Sequence, residues 1–425
     1  MNNNLTHVFL TFTRLSSSFQ ALLNRMASLS HLQSIIQHGE LRLQLLKVAT
    51  QIGLPEQPIR KAVQSDEMAL MEFVKSTLSC MPDKEEMLSL KGDDATALLN
   101  LLQKMIARDV NDADTSRKAR RLFIRLSQQA DIILAPQLVS GLVLLNDGAP
   151  VSGGGYADIF RALYGDREVA VKRIRVHLND KDPQKIRREF AKEAHLWYHL
   201  KHPYVLPFLG IDSELFTSSL SMVSPWMKHG TIMDFRTALG PSNINIEQRL
   251  FEIAEGLEYL HGEGVIHGDL RGGNVLIDDE WHAVLADFGL TIFSDATAAT
   301  HETNPRGTCR WMAPELLIPE LTDLNDIRKT EATDVYAFGC VCLELYTGMH
   351  PFSEAPNEAS VIYQLIIGNR PSLAALDDLE DDLKAPAYIK TLVDGCLRRR
   401  DSERPGIAEV VIAMKSATRE MEISS

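Results

Sequence analysis

The chain has 425 residues, more than one ordinary hydrophobic core holds, so its length predicts two domains. Charged residues make up 24% and hydrophobic residues 45%, which is ordinary for a globular protein, and a formal net charge of −13 argues against a general nucleic-acid binder. The five cysteines lack the spacing of a disulfide framework or zinc site, and no apolar run reaches the about 18 residues of a membrane span, so we expect a reducing compartment, the cytoplasm.

The amino terminus leaves a second location open. Residues 1–37 contain no Asp or Glu but include arginines and several serines, a composition typical of mitochondrial transit peptides. Phe19, Leu22, Leu23 and Met26 are instead spaced as on one face of a helix. We favour the amphipathic helix, with mitochondrial targeting as the alternative.

Residues 1–135 are predicted to form an all-helical module. Apolar residues recur there at helical spacing in three stripes. The stripes are Leu70, Phe73, Val74 and Leu78; Leu98, Leu101, Leu102 and Met105; and Ala119, Leu122, Phe123 and Leu126. The basic residues between Arg117 and Arg125 fit a solvated helix face better than a phosphate site. A small bundle without catalytic clusters indicates a binding or regulatory module with an unknown protein partner.

The sequence pattern changes near Pro136. Glycine-punctuated, β-forming segments predict strands at Ile159–Leu163 and Val169–Lys172. Helical spacing then returns, and an apolar stripe from Leu250 to Leu260 predicts a helix that ends near Gly262. A small β-rich lobe followed by a larger helical lobe predicts a cleft between the two, which is where nucleotide sites are commonly found.

A glycine-rich turn, Ser152–Ile159, lies between two predicted strands. Its small residues allow backbone N–H groups to lie close to phosphate oxygens. Lys172 follows on an alternating strand, and a buried ammonium there needs phosphates and a carboxylate as partners. The next predicted helix offers Glu189 and Glu193, one turn apart. We favour Glu193 as the carboxylate and interpret Glu189 as a surface acid.

The loop His267–Asn274 carries the strongest functional signal. It places Asp269 and Asn274 on one tight loop, and the turn Asp287–Gly289 begins thirteen positions after Asn274. This arrangement is the one needed to hold a phosphoryl acceptor beside a magnesium-bound nucleotide. A magnesium-bound nucleotide and a phosphoryl acceptor are therefore the predicted ligands.

These motifs carry a family resemblance. From Val151 to about Met414 the chain resembles the eukaryotic protein kinases, most closely the tyrosine-kinase-like branch of the serine/threonine kinases. The resemblance implies an α+β, two-lobed protein-kinase fold over residues 136–418, preceded by the helical module of residues 1–135. It also implies ATP, Mg²⁺ and a protein substrate as ligands.

Later landmarks of that family are in register. Gly307–Glu315 looks like the substrate-contacting segment and its closing motif, and Asp334–Gly339 looks like the central helix of the large lobe. Arg404 stands where the family pairs an arginine with the glutamate of the closing motif, here Glu315.

The resemblance also implies a role for each matching residue. Asp269 would accept or orient the proton of the substrate hydroxyl, and Asn274 and Asp287 would bind magnesium. Lys172 would hold the α- and β-phosphates and pair with Glu193. The implied catalytic residues are Asp269, Lys172, Arg271 and Asn274. The implied nucleotide-binding residues are Ser152, Gly153, Gly154, Gly155, Ala157, Ile159, Ala170, Lys172, Glu193, Ser224 at the gatekeeper position and Met227 at the hinge.

Several positions depart from the family pattern. Ser152 and Ala157 replace glycines of the phosphate loop, and alanine disfavours positive φ, so we expect a stiffer loop. Gly268 replaces an arginine that reads a phosphate on the activation segment, so that electrostatic latch should be absent. Arg271 replaces a lysine near the transferred phosphate; it keeps the charge with a different geometry and leaves the hydroxyl specificity open.

Three functions compete. An active serine/threonine kinase is favoured because every residue that would touch phosphate, metal or the acceptor proton has a suitable identity. A pseudokinase scaffold is the second interpretation, and a tyrosine or dual-specificity kinase is the third. Thr308 argues against the third, because it resembles a threonine that hydrogen-bonds the catalytic Asp in serine/threonine enzymes.

Overall fold

A computed structural model of the chain divides into two compact units, residues 1–134 and 135–425. The structure describes residues 44, 47–48, 50–51, 57, 61, 68, 71–72, 74–75, 78, 87–108, 113–130, 132, 138–153, 157–174, 190, 193–194, 196–216, 221–288, 309–318, 321, 328–377, 379 and 383–424. The predicted amphipathic helix around Phe19 to Met26, and with it the transit-peptide alternative, lies outside these residues.

Most of the described residues of the first unit are helical. They include two long helices, α1 (Gly92–Arg108) and α2 (Ala113–Ala130). Asp93 and Asp94 lie in the first turn of α1, where negative charge is favourable beside the helix amino terminus. The predicted apolar stripes of α1 and α2 are buried in one core together with Val74 and Leu78, as the sequence predicted. Arg117, Arg121 and Arg125 are exposed, which fits a solvated helix face.

The second unit begins with an antiparallel sheet. Its strands within the described residues are β1 (Val143–Leu144), β2 (Ser152–Gly153), β3 (Ala157–Tyr164), β4 (Arg167–Ile174), β5 (Gly210–Asp212) and β6 (Ser221–Pro225). The strand order is β1-β3-β4-β6-β5, with β2 also paired to β3. A tight turn through Gly165, at φ +59°, joins β3 to β4. The predicted strands lie inside β3 and β4, so both predictions are confirmed.

Helices form most of the remainder of this unit. They are α3 (Ile232–Leu239), α4 (Ile246–Gly262), α5 (Glu331–Thr347), α6 (Glu358–Ile366), α7 (Ala387–Cys396) and α8 (Ile407–Ser424), with a short hairpin of β7 (Val275–Ile277) and β8 (Ala283–Leu285). The stripe from Leu250 to Leu260 is buried and α4 ends at Gly262, as predicted. Helix α5 is buried on nearly every side, which marks it as the central helix of the lobe.

An antiparallel sheet followed by a helical lobe confirms the predicted α+β class. The two parts meet at the loop after the helical residues 196–199, where Leu206 N donates to Leu285 O and Leu285 N donates to Tyr204 O, each at 2.9 Å. This bridge fixes the β7–β8 hairpin against the sheet-bearing lobe and so positions the loops at either end of the hairpin. In the described part of the chain, no helix combines the length and apolarity needed to cross a membrane.

Candidate active site

The loop between α4 and β7 is held by Asp334 of α5. Its carboxylate accepts hydrogen bonds from the main-chain N–H groups of His267 and Gly268, both at 2.8 Å, and lies 2.9 Å from Nε2 of His261. Gly268 has φ +75°, a conformation that costs glycine little. This carboxylate thus holds the backbone turn at residues 267 and 268. The positive φ of Gly268 gives a conformational reason for a glycine where the family carries an arginine.

Asp269 and Asn274 face each other across the loop. Asn274 Nδ2 donates to Asp269 Oδ2 at 2.8 Å and to the Asp269 carbonyl at 2.7 Å. Asp269 Oδ1 is buried and has no hydrogen-bond partner among the described residues. Nε of Arg271 lies 3.6 Å from Oδ2. The amide thus fixes one carboxylate oxygen and leaves the other available to an incoming donor.

Lys172 on β4 pairs with Asp287, which follows the β7–β8 hairpin. Its Nζ lies 2.6 Å from Oδ1 of Asp287, the residue that follows Ala286 at the end of the β7–β8 hairpin. Asp287 has φ +58°, a left-handed conformation that Asp tolerates better than most residues. Desolvation by itself raises the pKa of Asp287, but the Lys172 ammonium, by its charge and its hydrogen bond, outweighs that effect and lowers the pKa.

The implied pair of Lys172 with Glu193 is not formed, which corrects the expectation from the sequence. Lys172 pairs with Asp287 instead, and Oε2 of Glu193 has no hydrogen-bond partner within the described residues. Glu193 is only 4% exposed. Burial raises the pKa of Glu193 to about 8, with Lys172 opposing the rise and Asp287 adding to it. The ammonium of Lys172 pairs with Asp287, the more exposed of the two carboxylates. The buried carboxyl group of Glu193 stays largely protonated at neutral pH.

The aromatic contacts of Phe288 escaped the sequence reasoning. Its ring lies edge-on to Trp197 at 5.6 Å between centroids and beside His267 at 6.3 Å. Trp197 also donates from Nε1 to the Leu206 carbonyl at 2.6 Å. Burial lowers the pKa of His267, against the opposing charge of Asp334, so this imidazole is neutral at physiological pH. The available signal in the sequence was Trp197. It lies one helical turn after Glu193, so the two side chains lie on the same face of the helix.

The predicted nucleotide-binding residues lie along the sheet. Ser224 on β6 is buried opposite Ala170 on β4, and Met227 follows β6, with its carbonyl accepting from Gly230 N at 3.2 Å. Ser152 on β2 pairs with Ile159 on β3.

The phosphate loop itself is described only at its ends. Gly153 on β2 pairs with Asp158, whereas Gly154, Gly155 and Tyr156 lie outside the described residues. Ala157 begins β3 without a positive φ, so at this position a glycine is not required by the backbone. The stiffening expected from Ala157 therefore has no basis in a left-handed conformation.

Glu344 ties the loop to Trp311, and Glu315 forms a separate ion pair with Arg404. Oε2 of Glu344 on α5 accepts from Gly272 N at 2.9 Å and from Trp311 Nε1 at 3.0 Å. Burial raises the pKa of Glu344, and these two hydrogen bonds oppose the rise. Arg404 donates to both oxygens of Glu315 at 2.6 and 2.7 Å, which confirms the pair implied by the sequence. Gly289 and Thr308 lie outside the described residues.

Comparisons with known proteins agree with this geometry. Residues 147–414 match the family model of the protein kinase domain. Serine/threonine/tyrosine-protein kinase HT1 of Arabidopsis thaliana is 28% identical over 272 residues, covering 63% of this chain and 65% of that protein. Probable serine/threonine-protein kinase drkD of Dictyostelium discoideum is 30% identical over 65% of this chain and 20% of that protein.

A human relative shows the same pattern. Receptor-interacting serine/threonine-protein kinase 1 of Homo sapiens is 31% identical over 50% of this chain and 32% of that protein. The matched part of the chain thus spans less than two thirds of the length of each of these relatives. The resemblance noted from the sequence motifs is confirmed.

Proposed function

The chain belongs to the protein kinase domain family, and on that premise we propose that it transfers the γ-phosphoryl group of ATP to serine or threonine hydroxyls of a protein substrate, in a signalling role. The observation that carries the proposal is that Oδ1 of Asp269 is buried and has no hydrogen-bond partner among the described residues. A buried carboxylate oxygen without a partner is costly unless a donor arrives. A substrate hydroxyl is a donor of the right size and chemistry for it.

The surrounding side chains fit a magnesium-bound nucleotide. Asn274 and Asp287 offer oxygen ligands, which Mg²⁺ prefers, and the described residues hold no group of three or more His, Cys, Asp or Glu that would bind a metal unaided. A site with two protein oxygens suits Mg²⁺, which takes its remaining ligands from substrate phosphates and water. When bound, Mg-ATP supplies the phosphoryl group and the positive charge that offsets its oxygens.

The protein's own part is to hold and orient. Asn274 fixes Oδ2 of Asp269, so that Oδ1 has one direction in which to accept the hydroxyl proton. Lys172 brings positive charge beside Asp287 and Arg271 brings it beside Asp269, where it can offset the charge of phosphate oxygens. Asp334 prevents the loop from relaxing, because its carboxylate takes up the main-chain N–H groups of His267 and Gly268.

Serine/threonine specificity is part of the proposal. It is supported by the names of the relatives drkD and receptor-interacting kinase 1, which describe serine/threonine kinases, whereas the name HT1 includes tyrosine. The competing hypothesis is a scaffold that keeps the fold without the chemistry.

The decisive experiment incubates the purified full chain with Mg-ATP and myelin basic protein and maps the modified residues by mass spectrometry. Phosphoserine or phosphothreonine is expected; phosphotyrosine alone would overturn the specificity, and no transfer would favour the scaffold. Asp269→Asn should lower kcat by about 10²–10⁴-fold with Mg-ATP binding retained, since Asp269 meets the hydroxyl. Asp287→Asn should weaken magnesium-dependent ATP binding.

A matched control is Asp279→Asn, which changes an exposed carboxylate on the β7–β8 hairpin that pairs with Lys228. It should leave both activity and nucleotide binding unchanged. Near-normal phosphoryl transfer in both Asp269→Asn and Asp287→Asn would contradict the assigned roles.

A further inference from the structure

The short segment Cys309–Trp311 is held against the helical lobe by an arginine that forms no ion pair with any described residue. Arg310 donates from Nη1 to the carbonyls of Pro351 and Phe352 and from Nη2 to the carbonyl of Ala355 at 3.0 Å. These three carbonyls belong to one turn between α5 and α6. A guanidinium presents its donors in a fixed fork, so it can hold the turn in one geometry.

The turn itself is conformationally special. Phe352 has φ +54°, although it is not glycine, and its side chain is only 3% exposed. Bulky residues rarely adopt this conformation unless surrounding contacts maintain it. Its carbonyl is one of the three that Arg310 engages, so the strained residue and the arginine belong to a single arrangement.

The same segment is tied to the catalytic loop. Trp311, the neighbour of Arg310, donates to the Glu344 oxygen that also accepts from Gly272, three residues after Asp269. The approach is close, because a Cβ on Gly272 would lie 2.9 Å from that oxygen. The segment therefore has two anchors, the turn on one side and the Asp269 loop on the other.

We propose that Arg310 is a positioning residue for the polypeptide acceptor. Trp311 and Gly272 donate to the same oxygen of Glu344, so Cys309–Trp311 lies beside the loop that carries Asp269, where it can contact a polypeptide that presents a hydroxyl to Asp269. Arg310 keeps the segment in place without touching the reacting atoms. The assignment rests on the proposed kinase function, and it predicts an effect on acceptor binding and none on nucleotide binding.

The test compares Arg310→Lys with wild type in the full chain. Lysine keeps the charge and loses the fork, so the KM for myelin basic protein should rise at least about fivefold while the KM for ATP stays within about twofold. Arg399→Lys is the matched control, because Arg399 donates to a single carbonyl, that of Ile366, away from the segment. If Arg310→Lys does not fold, Arg310→Gln takes its place.

Hydrogen exchange supplies a readout that does not need activity. The amides of Met312 and Ala355, which donate to Cys309 O and Phe352 O, should exchange faster in the variant, whereas those of α4 should not. Unchanged exchange, an unchanged acceptor KM, or equal shifts in both KM values would each overturn the assignment. An inactive wild type would refute the kinase function, and exchange alone would then decide whether Arg310 anchors the segment.

Discussion

Replacing Glu193 with glutamine should change how the stability of the nucleotide-free protein depends on pH. The pKa of Glu193 is about 8 in the folded state, against an ordinary value of 4.5. Between these values the unfolded chain has lost the proton and the folded chain keeps it, so the folded state binds more protons and its stability falls as pH rises. Below about pH 4.5 Glu193 is protonated in both the folded and the unfolded state, so the full stability that it contributes is present there and no longer changes with pH.

The size of the effect follows from one proton. A single group of this kind contributes a slope of up to about 1.4 kcal/mol per pH unit within the window. For a folding unit of this size that corresponds to roughly 2 °C in Tm per pH unit. Glutamine resembles the protonated carboxylic acid and cannot ionise, so Glu193→Gln should remove this slope.

The assay is urea unfolding of wild type and variant at several pH values between 5 and 8, followed by fluorescence. The free-energy difference between the two proteins is expected to widen in favour of the variant as pH rises. An exposed acid, Glu280→Gln, is the control and should run parallel to wild type. Parallel curves for Glu193→Gln and wild type would refute the reasoning, because Glu193 would then already be ionised in the folded protein at neutral pH.

Three other outcomes are expected. Gly268→Ala should cost about 1–2 kcal/mol in urea unfolding, because φ is +75° there, whereas Gly262→Ala, in a helix and with open space around its Cβ, should be neutral or stabilise by up to about 1 kcal/mol; an equal loss of stability in both variants would contradict the backbone strain at Gly268. Arg404→Ala should cost about 3–5 kcal/mol, since it leaves Glu315 buried and unpaired, and a loss below about 1 kcal/mol would show that the pair is dispensable. Phosphatase treatment should lower kcat only modestly, because Gly268 stands in place of the phosphate-reading arginine; a collapse restored by rephosphorylation would argue for another latch.

Local patterns in the sequence predicted most of the framework. The stripe on α4 and the alternation in β3 and β4 reflect the periods of helix and strand, which are properties of neighbouring residues. Asp269 and Asn274 were recognisable for the same reason, since the two members of this hydrogen-bonded pair lie only five positions apart on one tight loop. The sequence by itself therefore determined the α+β class and the family, and it predicted which loop is the candidate catalytic loop.

Contacts between distant segments were decided only in three dimensions. Lys172 and Asp287 are 115 positions apart, and which carboxylate the ammonium engages depends on distances that no local pattern encodes. The protonation of Glu193 depends on how completely the surrounding side chains exclude water. The hydrogen bonds of Arg310 depend on a strained turn about forty residues away along the chain. Burial and electrostatic pairing are properties of the folded surroundings, so the tertiary structure alone could assign them.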